Sequence, residues 1–162
     1  MSVSVAGVLF KVHSCVMRNG SEYFRGLLEN ARAENGKFHF AFSRTDESAV
    51  GVQAFRVVLD FIYTDQATVH MPDVIAVGRW DDDEGWSPMA ALVDVLRAAD
   101  YLSIEPMVQA YTQVLKQTLT PETVVDVLEL LEDISGLQEA RQAAVKYFVQ
   151  HAGLVQVPLY VF

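Results

Sequence analysis

A chain of 162 residues and 18.0 kDa can bury a real core and fits one domain of roughly 100 to 150 residues with a short addition. Its 51% hydrophobic content and mean hydropathy of +0.19 favour association, yet Arg18, Arg56, Asp60, Asp94, Arg97 and Glu129 break the apolar runs short of the roughly 20 residues of a membrane span. The formal charge of −9 and pI near 4.7 argue against nucleic acid and acidic membrane surfaces as direct partners, because phosphate repels such a chain and no basic patch is visible.

Val3, Val5, Val8, Phe10 and Val12 alternate around Ala6-Gly7, which predicts a hairpin of two short strands. A short helix fits Ser14 to Arg18, Asn19-Gly20 breaks it, and Ser21 caps a second helix carrying Tyr23, Phe24, Leu27 and Leu28. Phe38, Phe40 and Phe42 alternate with His39 and Ala41, so Lys37 to Phe42 reads as a strand with one aromatic face. From Gln53 to Tyr63 the spacing of Phe55, Val58, Leu59 and Ile62 predicts an amphipathic helix ended at Thr64-Asp65. Thr68 to Met71 fits a brief strand, and Asp73 to Ser87 reads as an acidic, glycine-containing loop with a small strand at Val74 to Val77.

Four helices follow. Ser87-Pro88 is a capping hydroxyl followed by proline at the first helical position, with Leu92, Val95, Leu96 and Ala99 as the buried stripe. A helix from Pro106 to Thr118 turns Met107, Tyr111, Val114 and Leu115 inward, and Thr120-Pro121 repeats the cap-and-proline start for Val124, Val127, Leu128 and Leu131, stopping near Gly136. The last, Leu137 to Gln150, buries Leu137, Ala144, Tyr147 and Phe148. Strands early and helices late make an α+β layout.

His13, Ser14 and Cys15 stand side by side, which raises a cysteine or serine hydrolase as a remote alternative. A nucleophile needs a base within hydrogen-bond reach and a third group to orient it, and neighbours at a helix start point in different directions. The expectation is no catalytic residue, with His13 partly buried at the helix entry and Cys15 a small packing residue. His39, His70 and His151 lie in separate elements and one cysteine makes no zinc pair, so no metal is expected. The run Asp81-Asp82-Asp83-Glu84-Gly85 fails as a calcium loop, since Trp86 falls where the turn glycine belongs and Leu92 where the bidentate Glu belongs. Trp80 and Trp86 read first as plugs that fix this loop on the domain and second as anchors for a partner. Gly7, Gly20 and Gly26 are too scattered for a phosphate loop, so no cofactor is expected. Met1 to Phe10 has no leader pattern and the lone Cys15 forms no internal disulfide, so an intracellular place, cytoplasmic or nuclear, is expected.

The stretches FKVHSCVMRNGSEYFRGLL, AFRVVLDFIYTD, VLRAADYLSIEPMVQAY and LTPETVVDVLELL resemble, in order, the successive helices of the BTB/POZ domain. The resemblance implies a small mixed sheet of short strands packed on a cluster of helices, residues 1–119, followed by a C-terminal helix pair similar to the start of a BACK extension, residues 120–162. It implies a protein-interaction module that forms homodimers and binds, in many members, the cullin scaffold of a ubiquitin ligase. On this chain the cullin-facing signature, hydrophobic-x-Glu, falls on Arg32, Ala33 and Glu34, where Glu34 matches and Arg32 occupies the hydrophobic slot. In the family the end of the domain where Tyr63 falls lies near the cullin-facing surface, so the resemblance implies Tyr63 as a candidate contact. Val3, Val5, Val16 and Met17, in the first strand and first helix, are the expected dimer seam. The acidic residue usual before the first strand falls at Met1.

Segments Ser43 to Val52 and Asp73 to Ser87 are longer than the family's usual connections, and no kelch repeat, zinc finger or MATH domain accompanies the module. The expected partners are a second copy, a cullin scaffold and an unknown cargo protein. The competing reading is a dimerisation scaffold, in assembly or transcription, without cullin binding.

Overall fold

Ala6 and Gly7, with φ of 46° and 84°, both sit in the left-handed region, the requirement of a two-residue hairpin turn whose twist matches its strands. They join β1 (Ser2–Val5) to β2 (Val8–Lys11), paired antiparallel with Val3 opposite Phe10 and Val5 opposite Val8. The computed structural model describes residues 1–31, 38–42, 50–67 and 87–154. Among these, β3 (His39–Phe42) lies parallel to β1 on its other side, Val3 beside Phe40 and Val5 beside Phe42, giving a mixed sheet in the order β2-β1-β3. Side chains alternate between faces, so Val3, Val5 and Phe42 turn together into the core, where all three are buried.

Between β2 and β3 run α1 (Ser14–Gly20) and α2 (Glu22–Asn30). Ser21 separates them, its buried hydroxyl accepting from the Phe24 N–H at 3.2 Å and donating to the Leu102 carbonyl at 2.6 Å. One side chain thus caps α2 and fastens it to a segment 81 residues away. Helix α3 (Val52–Thr64) ends at Asp65, left-handed at φ 55°. Gly20 lets α1 approach it closely, because a Cβ there would meet the Ile62 side chain at 2.7 Å.

Helix α4 (Pro88–Tyr101) starts as its sequence predicts, with the Ser87 hydroxyl accepting from the Ala90 N–H at 3.0 Å. It buries Met89, Ala91, Leu92, Val93, Val95, Leu96, Ala98 and Ala99, which covers most of its circumference, and it packs on α3, on α5 (Glu105–Thr118) and on α6 (Val124–Leu130). An aromatic chain closes the sheet side: Phe10 meets Phe55 edge-on at 5.0 Å, and Phe55, Phe42, Phe24, Tyr23 and Tyr101 follow at centroid separations of 5.3 to 6.3 Å. A mixed sheet against a helical cluster, followed by the helix pair α6 and α7 (Gln138–His151), is the architecture of a BTB/POZ domain with a BACK-like addition.

The few polar groups on α4 face this helix pair. Arg97 bonds Asp94 at 3.2 Å and donates to the Leu130 carbonyl, at the C-terminal end of α6, at 3.4 Å, where the helix dipole favours a cation. Gly136 rests against the Asp100 carboxylate, so no side chain fits there, and Lys116 bonds Glu139 across α5 and α7 at 2.8 Å.

Four expectations need correction. The buried stripe of α3 is Ala54, Phe55, Val57, Val58 and Phe61, while Leu59 and Ile62 are half-buried, because seven closely spaced apolar residues admit two overlapping stripes and the neighbours choose one. Thr120-Pro121 starts a turn: the Thr123 hydroxyl takes the Thr120 N–H at 3.1 Å, and α6 begins only at Val124. Leu128, Tyr147 and Phe148 are half-buried. His13 and Cys15 are exposed. The expected strands at Thr68 to Met71 and Val74 to Val77, the acidic run, Trp80, Trp86 and His70 lie outside the described residues.

Replacing Phe55 by alanine should cost about 3 to 5 kcal/mol, and Leu59→Ala less than half of that, in urea unfolding. Equal losses would restore the stripe that the spacing alone suggests. A second test concerns pH. Burial raises the Asp94 carboxyl above its ordinary 3.8, with Arg97 pulling the other way, and burial plus the Glu105 charge raises Asp100. The folded chain therefore holds protons that the unfolded chain has released, and stability from these groups is full below 3.8 and lost as pH rises through their raised values. Asp94→Asn should flatten that part of the stability profile; an unchanged slope as pH rises above 3.8 would contradict it.

Candidate interaction surface

Hydrophobic anchoring decides which side of α1 is left for a partner. Met17 is fully buried and Gly20 presses α1 onto α3. At the helix entry the His13 N–H donates to the Tyr63 hydroxyl at 2.9 Å, and His13 Nδ1 lies 2.9 Å from the same oxygen. A contact spanning 50 residues thereby ties the start of α1 to the last turn of α3. Tyr63 stays 46% exposed, so its ring is held in place while one side remains open.

The outer side of α1 carries Cys15, Arg18 and Asn19, all exposed, and Val16, partly exposed. With Arg25, Leu28 and Phe38 the α1–α2 face encloses an open groove of about 750 Å³. Its arginines are held in surface pairs, Arg18 with Glu29 at 3.2 Å and Arg25 with Glu22 at 2.6 Å. Such exposed pairs contribute little and exchange readily for other partners.

The edge strand β2 leaves Val8 39% and Leu9 61% exposed. Met1 and Val12 exchange both of their backbone hydrogen bonds at 3.0 Å. Antiparallel alternation then turns the N–H and C=O of Leu9 and Lys11 away from β1, toward the free edge. Leu9 is a partner-facing candidate that sequence reasoning passed over. Its signal was there: an apolar residue at the outward position of an alternating strand.

Of the expected seam, Val3, Val5 and Met17 are fully buried and hold the elements in place, while Val16 keeps accessible surface. Arg32, Ala33 and Glu34 lie outside the described residues, so Tyr63 is the described member of the expected cullin-facing set. The His13 ring is engaged by Tyr63. Among the described residues no group of three or more His, Cys, Asp or Glu could hold a metal ion, and no helix is long and apolar enough to cross a membrane.

A family model for the BTB/POZ domain matches residues 1–119. The chain is similar to kelch-like protein 26 of Danio rerio, 21% identical over 142 residues that make up 88% of this chain and 20% of that protein. It spans about a fifth of the length of that relative.

Proposed function

The chain belongs to the BTB/POZ domain family, a non-catalytic protein-interaction fold generally capable of self-association, and we propose that it works by pairing two copies through the face around α1 while a second surface docks another protein. One observation carries this reading: α1 is fixed on its inner side by Met17, Gly20 and the His13–Tyr63 contact, and presents its outer side and groove to solvent. A two-fold interface uses one patch twice. A standard one takes about 800 Å² from each partner, under a tenth of the 9961 Å² surface of this chain, and Val16, Leu9 and the groove can supply its apolar centre.

The second surface would combine Tyr63 with Arg32, Ala33 and Glu34, and its proposed partner is the cullin scaffold of a ubiquitin ligase, the chain serving as adaptor for a cargo protein. The family resemblance and the kelch-like relative support this reading. Arg32 sets its strength, because burying an unpaired guanidinium costs several kcal/mol. A contact at that position would require the charge to find solvent or an acidic partner such as Glu29 or Glu34. The alternative, a dimerisation scaffold without cullin, is favoured by that same arginine.

Titration calorimetry against a cullin N-terminal domain separates the two. Arg32→Met should bind more tightly than the native chain by about 1 to 2 kcal/mol through restored apolar burial. If neither binds at about 100 micromolar, the adaptor reading falls and the scaffold reading stands.

A further inference from the structure

Strand β2 runs between two fixed stops. At one end Ala6 and Gly7 hold the left-handed turn. At the other both main-chain groups of His13 are engaged: its N–H donates to the Tyr63 hydroxyl at 2.9 Å and its carbonyl accepts from the Met17 N–H at 3.0 Å. Between these stops the N–H and C=O of Leu9 and Lys11 point off the free edge of the sheet, and no hydrogen bond among the described residues takes them. Outward groups at alternate residues form a short ladder, in which Leu9 and Lys11 would each exchange both bonds with the residue opposite on an antiparallel strand.

Side chains decide which strand fits. Val3 and Val5 fill the core face, so Leu9 and Lys11 stand on the outer face. The register sorts that face into two rows, Lys11 with Ser2 and His39, and Leu9 with Ser4 and Ala41. The first row holds a cation and a histidine and no acid, on a chain of net charge −9, and no ion pair among the described residues engages Lys11. The second is uncharged and holds the exposed Leu9.

A second copy fits this edge poorly. Two-fold pairing of β2 with itself centres on Lys11, Phe10 or Leu9. The first sets two lysines directly opposite, the second sets them on the neighbouring diagonal, and the third faces Lys11 with the turn residue Gly7. Lys11 therefore guards the edge against its own kind. We propose that the free edge of β2 takes an extended segment of another protein, antiparallel, with an acidic residue opposite Lys11 and an apolar residue two positions later opposite Leu9. The main chain supplies the attachment and Lys11 the choice of partner. A pairing face would use the Leu9 side chain on the outer surface of the sheet, whereas the added strand uses main-chain groups in its plane, so this proposal does not rest on pairing around α1.

NMR titration of the isotope-labelled full chain with the blocked peptide TTEVITT tests this. Its Glu falls opposite Lys11, its Val opposite Phe10 and its Ile opposite Leu9. The Leu9 and Lys11 amides should shift and exchange more slowly, and those of α4 should not. TTKVITT should bind about fivefold to tenfold more weakly, and Lys11→Glu, at an exposed position outside the core, should reverse that order. Methylating the Ile nitrogen of TTEVITT removes a ladder bond and should abolish binding. No binding of TTEVITT at about one millimolar would overturn the proposal, as would equal binding of the two peptides, an order unchanged in Lys11→Glu, or full binding of the methylated peptide. So would protection of the Leu9 and Lys11 amides that grows with chain concentration in the absence of peptide, which would place a second copy on the edge.

Discussion

A helix that is apolar on nearly every side can exist in water only if other elements enclose it, and α4 imposes that demand on the whole chain. Met89, Leu92, Val93, Val95, Leu96 and Ala99 point in too many directions for one neighbour to cover. Helix α3 takes one side, α5 another and α6 a third. Fully burying a leucine- or valine-sized side chain is worth about 1.5 to 3 kcal/mol, so leaving any of these sides open would cost a large share of a typical domain's stability. Ser21 binds the remaining layer to this helix through the carbonyl of Leu102, just past its end.

Enclosing α4 settles where the polar groups go. Asp94, Arg97 and Asp100 gather on the side where α6 and the turn before α7 approach, and they position the C-terminal helix pair through a carbonyl and a close glycine contact. The sheet and α1 end up on the outside of the cluster with their inner faces fully committed. What they have left is an edge strand, an α1 face with a groove, and Tyr63 propped against His13. A fold whose core is satisfied internally while Val8, Leu9 and Tyr63 stay exposed has the physical make-up of an interaction module.

Features governed by neighbours in sequence were legible in advance. Ser21 and Ser87 cap as their hydroxyls predict, Ala6-Gly7 turns the hairpin, and Asp65 closes α3. Features settled by distant packing were not. The orientation of α3 depends on what faces it, so Leu59 and Ile62 were placed deeper than they lie. The His13–Tyr63 contact joins residues 50 positions apart, and no local pattern announces it. Exposure of Cys15 escaped for a related reason: a small apolar residue in an amphipathic stretch fits either side of a short helix. Leu9 broke the alternation of its strand and could have been read as partner-facing.

The central claim is that two copies associate through the face around α1. Sedimentation equilibrium of the native chain beside Val16→Asp tests it most directly, since Val16 keeps accessible surface there and its replacement leaves Met17 and the core untouched. At about ten micromolar the native chain should have twice the 18.0 kDa mass of one chain and the variant should be monomeric. A monomeric native chain, or a Val16→Asp variant that remains dimeric, would contradict the account.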